Sequence, residues 1–117
     1  MAYDEALAKR VKATLGRTRQ IEEKRMFGGI AFMVRGKMCV TVGKDRIMCR
    51  IDPAIHDTVL QHKGCRTVVM RGREMRGWVY VDAQALRAKG ALDYWVGLAS
   101  AYNKAIASAG RPNTQAG

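Results

Sequence analysis

The sequence contains no apolar run approaching the ~20 residues that a membrane-spanning helix needs. Its first ten residues, MAYDEALAKR, place acidic residues at amphipathic spacing and lack the apolar core of a signal peptide. Because both membrane signals are missing, we expect a cytoplasmic protein that makes no contact with a membrane. A chain of 117 residues has the length of one domain.

Cysteine and histidine are too few and too dispersed to predict a metal site. The three cysteines, Cys39, Cys49 and Cys65, form no C-x-x-C pair, and His56 and His62 lie six positions apart. Structural zinc sites draw their ligands from closely spaced pairs. We therefore predict reduced, mostly buried thiols, no metal and no cofactor.

Motifs that carry catalysis are also missing. The glycines of GGIAF, residues 28–32, follow neither the Walker spacing nor that of a dinucleotide-binding turn. Such glycines inside a strand indicate a bulge or a close backbone approach. Glu22 and Glu23 are adjacent, and the other acids fit caps, turns and helix surfaces, so no carboxylate pair stands out. We predict no catalytic residue and a protein that is not an enzyme.

Acidic residues are scarce relative to basic ones, with 10 Asp and Glu against 21 Lys and Arg and a net charge of +11. Such a field attracts polyanions. The charge is dispersed, however, so a solvated basic surface and a polyanion-binding surface remain equally open. Any nucleic-acid binding would be weak and would read phosphates rather than base edges. The candidate phosphate contacts are Arg46, Arg50, Arg71, Arg73 and Arg76.

Three segments have helical patterns. Residues 4–15 place apolar side chains at i,i+4 steps behind an acidic first turn. Asp52 and Pro53 supply the N-cap and the first position of a second helix that would end at Lys63. Residues 91–107 carry apolar side chains along one side and predict the last helix.

Five segments have strand patterns. Tight turns at Arg35-Gly36 and Gly43-Lys44 would divide residues 25–52 into three antiparallel strands. A turn at Gly43-Lys44 would also place Cys39 and Cys49 on opposite faces, where they could not form a disulfide.

The basic segment VMRGREMRGWVYVD, residues 69–82, is interpreted as a hairpin rather than as an arginine-glycine repeat. Its strands would be residues 65–71 and 75–82, and its tip would lie at Gly72-Arg73. The order of elements is then α-β3-α-β2-α, which predicts an α+β fold. We expect a two-layer α/β sandwich with an antiparallel five-stranded sheet and helices on one face. Residues 1–109 would form this domain, and 110–117 a flexible polar tail.

Two motifs carry a family resemblance. KRMFGGIAFMVRGKM (24–38) and GREMRGWVYVD (72–82) resemble the two signature blocks of the TfoX/Sxy N-terminal domain, and the likeness extends over residues 2–106. The resemblance implies the same α-β3-α-β2-α fold and no catalytic residues. Named members regulate natural competence as co-activators with the cyclic-AMP receptor protein, and carry a second, helical C-terminal domain. This chain stops after its last helix, so we expect a stand-alone N-terminal domain.

The leading hypothesis is a small interaction module, linked to transcriptional regulation through a protein partner of the cyclic-AMP receptor protein type. Direct low-specificity nucleic-acid binding is the alternative, and a ligand site or active site invisible in the sequence is a third. The sheet face away from the helices keeps apolar groups, which indicates a protein interface or a weak homodimer. We predict Phe32 and Met48 near its centre. An odd-length turn at Arg35-Gly36 would instead exchange the two faces of the first strand.

Overall fold

The computed structural model describes residues 3–16, 20–26 and 28–109, so the predicted tail at 110–117 lies outside the described residues. Three α-helices, six strands and two short 3₁₀ segments follow one another in this part of the chain. The helices are α1 (Glu5–Leu15), α2 (His56–Val59) and α3 (Ala91–Ala109), with 3₁₀ segments at Pro53–Ile55 and Ala83–Arg87. The strands are β1 (Ile21–Met26), β2 (Gly29–Val34), β3 (Lys37–Val42), β4 (Arg46–Arg50), β5 (Cys65–Met70) and β6 (Arg73–Asp82).

The strands form one antiparallel sheet in the order β1-β2-β3-β4-β6-β5. Side chains of α1 and α3 share a single buried cluster with one side of this sheet. The predicted α+β class is confirmed, and the sheet has six strands instead of the predicted five. Among the described residues, no helix is long and apolar enough to span a bilayer.

Strand β1 is the additional element. Its sequence, IEEKRM, has four exposed residues between two half-buried ends. An edge strand pairs on one side only, and charged side chains there discourage pairing with other chains. Because β1 carries neither apolar alternation nor a buried face, its sequence pattern gives no strand signal.

The turn between β2 and β3 is confirmed at Arg35-Gly36. Both residues have positive φ, 54° and 77°, as a two-residue hairpin turn of type I′ requires. A bulge opposite Phe32 and Met33 then shifts the register. The bulge has the effect expected of an odd-length turn, because it exchanges the two sides of β2. Phe32 therefore lies in the core under the helices with only 1% of its surface exposed, and its predicted place at the centre of an outer interface is wrong.

Strands β3 and β4 pair with Val42 opposite Ile47, so the turn residues are Lys44 and Asp45 rather than the predicted Gly43-Lys44. The register is displaced by two residues, an even number, so each β4 residue keeps its predicted face. Ile47 accordingly lies in the core and is fully buried.

The predicted separation of two cysteines is wrong. Cys39 and Cys49 are free thiols, and both belong to the core cluster. The bulge is in β3, where Cys39 is the extra residue between the pairs Phe32–Val40 and Met33–Met38, and it turns Cys39 toward the same core that contains Cys49.

Of the two predicted explanations for the paired glycines, a bulge and a close backbone approach, the close approach applies to Gly29. A Cβ at Gly29 would collide with the carbonyl oxygen of Val42 on the neighbouring strand. The positive φ of 70° at Gly28 also favours glycine at the turn that precedes β2.

The second helical segment begins as predicted and ends early. The Asp52 carboxylate accepts a hydrogen bond from the backbone N–H of Ala54 at 2.9 Å. A 3₁₀ segment and one α-helical turn follow, and the helix ends at Val59 instead of Lys63. This short segment supplies the buried His56, which contacts the last hairpin.

The β5–β6 hairpin has its tip at Arg71-Gly72, one residue before the predicted position, with φ of 52° and 77°. Its register shifts between Thr67 and Val68, and Gly77 on β6 has φ of 90°. The backbone N–H of Gly77 donates to Nδ1 of His56 at 3.0 Å, while Nε2 of His56 lies 3.0 Å from Oγ1 of Thr67. The histidine thus connects both strands where the hairpin changes register.

Candidate functional site

The face of the sheet turned away from α1 and α3 is the outer face, and it collects the methionines of the protein. Strand pairing and alternation assign six of the seven methionines to it, and the seventh, Met1, is outside the described residues. The core cluster beneath the helices, as far as the structure describes it, contains no methionine. These outer methionines, the methionine face, are Met26, Met33, Met38, Met48, Met70 and Met75.

Four of these methionines surround one cavity. The cavity has a volume of about 150 Å³, and all its lining side chains are apolar or aromatic. We call it the methionine groove. Its lining residues are Met38, Met48, Val68, Met70, Met75 and Trp78.

A second, more polar cavity of about 230 Å³ adjoins the methionine groove. The two cavities share Met48 and Met70, and the second also contacts Arg46, Lys44 and Tyr80. Met48 is therefore common to both, and only 4% of its surface is exposed. Met70 belongs to the β5–β6 hairpin, so this hairpin, whose register shifts between Thr67 and Val68, contributes to the lining of both cavities.

Two arginines stack on aromatic rings beside the groove. The guanidinium of Arg46 lies 3.6 Å from the ring centre of Tyr80, and that of Arg50 lies 5.2 Å from the ring centre of Trp78. Both distances are those of cation–π contacts. Within the described residues, neither guanidinium has a carboxylate within ion-pair distance. In the part of the chain that the structure describes, these two arginines therefore form no ion pair, although Asp82 lies opposite Arg46 in the strand register and the guanidinium of Arg50 also lies 5.8 Å from the ring centre of Tyr102 on α3.

The other charges of the hairpin are differently placed. Arg66 pairs with Asp82 at 2.6 Å. Arg76 forms two hydrogen bonds with the carboxylate of Asp57, at 3.2 and 3.3 Å. The five arginines predicted to contact phosphate thus differ in their surroundings. Arg46 and Arg50 stack on the aromatic rings of β6, Arg71 and Arg73 are exposed at the hairpin tip, and Arg76 is paired.

The three thiols are poorly suited to nucleophilic catalysis. Burial raises the pKa of Cys39 from 9.0 to about 11, although the neighbouring Arg35 opposes the shift. Burial also raises the pKa of Cys65 to about 11, against the opposing charge of Arg66. The pKa of the fully buried Cys49 is raised further still by burial. All three thiols are protonated at neutral pH, whereas a catalytic cysteine needs accessible thiolate.

No other chemical constellation emerges from the part of the chain that the structure describes. In residues 3–16, 20–26 and 28–109, no group of three or more His, Cys, Asp and Glu side chains could hold a metal ion. His56 is 3% exposed, and contacts within the protein engage both of its ring nitrogens. It therefore acts as a structural link between α2 and the hairpin.

Sequence reasoning placed Met48 on this face, and Met33 as well in the odd-length alternative for the Arg35-Gly36 turn, but it missed the other four methionines of the methionine face. The signal was present as seven methionines in 117 residues, nearly all in strand-like segments. Recognising it needed the register of β2 and the bend of the hairpin, because these decide which methionines share a face.

The family comparison matches most of the chain. A family model described as the TfoX N-terminal domain matches residues 13–102 of the 117-residue chain. A search of curated proteins found no match. A search of solved structures also found none.

Proposed function

The chain belongs to the TfoX N-terminal domain family, and from this premise we propose that it is a cytoplasmic, non-enzymatic interaction module linked to transcriptional regulation of the competence type. It docks a protein partner on the methionine face. A transcription factor of the cyclic-AMP receptor protein type is the partner class that the resemblance to the TfoX/Sxy regulators suggests.

The separation of residue types between the two faces of the sheet carries this proposal. The helix-covered face is filled by Val, Ile, Leu and Phe side chains, which hold defined rotamers in a core. The outer face instead holds the methionines. Methionine is flexible and polarizable, and it is over-used at protein-binding surfaces that adapt to their partners.

The chemistry of the thiols supports a docking role over an active site. Their raised pKa values leave almost no thiolate at neutral pH. The two outer cavities, of about 230 and 150 Å³, are small for an enzyme substrate, because ordinary ligand pockets span about 300–1,000 Å³. A single apolar side chain of a partner is a better match for the methionine groove.

Low-specificity nucleic-acid binding is the second candidate, favoured by the two arginine–aromatic pairs on the outer face. Proteins that bind single strands stack bases on exposed aromatic rings. The guanidinium of Arg46 covers one side of the Tyr80 ring at 3.6 Å, so that side is not available to a base. The remaining way to bind nucleic acid is contact between the arginines and its phosphates, which predicts weak and salt-sensitive binding of nucleic acid.

Affinity purification from the native host tests the proposal. The wild-type protein is compared with Met75→Lys, which places a charge in the half-buried rim of the groove, and with Val69→Lys as the matched control. Val69 lies on the same hairpin and is 56% exposed, and alternation turns it away from the groove. The partner identified with the wild type should be lost with Met75→Lys and kept with Val69→Lys. A partner that binds all three proteins equally would contradict docking at the methionine face.

A further inference from the structure

Resting on the docking role proposed above, we infer that the segment bound by the methionine face is an acidic amphipathic helix of a partner protein. The inference starts from the position of the site. The lining of the methionine groove comes from β3, β4, β5 and β6, and its centre, at Met48 and Trp78, lies on β4 and β6, which are interior strands paired on both sides. A partner strand could add only at β1 or β5, so edge pairing would reach the β5 side of the groove and not its centre.

A helix satisfies its own backbone hydrogen bonds and can therefore pack on the face of a sheet. The first face of this sheet already receives α1 and α3. In the described part of the chain no helix contributes a residue to the methionine groove. A partner helix would complete a third layer, with one apolar side chain entering the groove between Met48 and Trp78.

The charges select an acidic helix. Arg46 and Arg50 flank Met48 at equal separation along β4 and lack carboxylate partners within the described residues. Four strand residues span about 13 Å, which corresponds to about eight or nine residues along a helix. Two acidic residues about two turns apart, with apolar residues between them, would meet both guanidinium groups. The net charge of +11 favours the same partner at longer range.

The probe is a fluorescein-labelled amphipathic peptide of about 18 residues, long enough to form helix. It has leucines on one face and two glutamates about eight residues apart beside them. The first control peptide carries lysine at both glutamate positions. The second has the same composition as the probe, with the leucines moved to scrambled positions. Fluorescence anisotropy measures the Kd of each peptide for the wild-type protein.

Two protein variants with the same change in net charge locate the site. Arg46→Gln/Arg50→Gln removes the charges beside the groove, and Lys89→Gln/Lys104→Gln removes two exposed charges on the α3 side of the sheet. We expect the first pair to raise the Kd of the acidic peptide about tenfold, equivalent to about 1.4 kcal/mol. The second pair should change the Kd less than about twofold, since the Debye length limits distant charges.

Several results would overturn the inference. Equal weakening by both variants would indicate attraction by net charge alone, and equal binding of the scrambled peptide would show that the groove is not used. Displacement of the peptide by a short DNA duplex that itself needs Arg46 and Arg50 would identify nucleic acid as the occupant. A protein that dimerises alone, with Met75→Lys abolishing the dimer, would identify a second copy.

Failure of this inference is distinguishable from failure of the proposed function. If a native partner is lost with Met75→Lys but binds normally to Arg46→Gln/Arg50→Gln, docking at the methionine face stands and the acidic helix is wrong. If no native partner responds to Met75→Lys, the docking role itself is wrong.

Discussion

Replacing His56 with Ala should destabilise the hairpin that completes the methionine groove. The imidazole accepts the backbone N–H of Gly77 through Nδ1, so Nε2 carries the proton and donates to Oγ1 of Thr67. Both contacts measure 3.0 Å, and only 3% of the surface of His56 is exposed. The change therefore removes two hydrogen bonds from the interior and leaves a space where the ring was.

The magnitude follows from these groups. Each lost hydrogen bond is worth about 1 kcal/mol, and a buried N–H left without an acceptor costs about 1–3 kcal/mol more. His56→Ala should therefore lower the free energy of unfolding by about 3–5 kcal/mol. Thr67→Val keeps the shape and the Gly77 bond but leaves Nε2–H of His56 without its acceptor, so it should cost less than His56→Ala, about 2–4 kcal/mol.

Urea unfolding of the two single variants and the double variant measures these losses, and the double-mutant cycle isolates the His56–Thr67 pair. Hydrogen exchange adds a local readout, because the Gly77 amide should lose protection before the core strands do. A loss for His56→Ala no larger than that for Thr67→Val would refute this account. It would mean that the Gly77–His56 bond does not hold the bend.

Three further predictions concern the core, the thiols and nucleic acid. Ile47→Ala should lower the free energy of unfolding by ~2–5 kcal/mol, and an unchanged urea midpoint would contradict its place in the core. With a pKa of about 11, Cys65 should be alkylated at pH 8 about a hundredfold more slowly than a thiol of pKa 9. The alkylation rate of Cys65 should rise through pH 10 without a plateau, and a plateau near pH 9 would contradict the raised pKa. The free energy of unfolding should fall above about pH 9, because the thiols of the unfolded chain lose their protons at lower pH than those of the folded protein. Binding to DNA should be weak, insensitive to sequence and steeply salt-dependent in fluorescence anisotropy, and nanomolar binding to one sequence at physiological salt would contradict it.

The helices and most strands could be predicted because their signals are local. Asp4 caps α1 through the N–H of Leu7, and the acid at this position is visible in the sequence. The Arg35-Gly36 turn could also be predicted from the sequence, because glycine favours the positive φ that such turns need. These signals depend only on neighbours in the chain.

Register could not be predicted with the same success, because it depends on partners distant in sequence. The bulge at Cys39 in β3, opposite Phe32 and Met33, has no marker within either strand, yet it decides which side of β2 enters the core. The β3–β4 register differs from the predicted one by two residues, so each β4 side chain still lies on the face that was predicted for it. A displacement of one residue would have inverted every side chain of β4.

The candidate site was predicted only in part for the same reason. Met48 could be placed on the outer face from alternation within one hairpin. Met70 and Met75 join it only through the bend at Gly77, which His56 holds from another element. A buried histidine that fixes a turn is indistinguishable, in the sequence, from a lone solvent-exposed one.

Methyl NMR of the protein with its purified native partner tests docking at the methionine face most directly. With ¹³C-methyl labels on methionine and isoleucine, the described protein offers reporters on both sides of the sheet, at Met48 and Met75 outside and at Ile47 in the core. Addition of the partner should shift or broaden the methionine signals and leave that of Ile47 nearly unchanged. Methionine signals that do not respond while the partner binds would contradict the account.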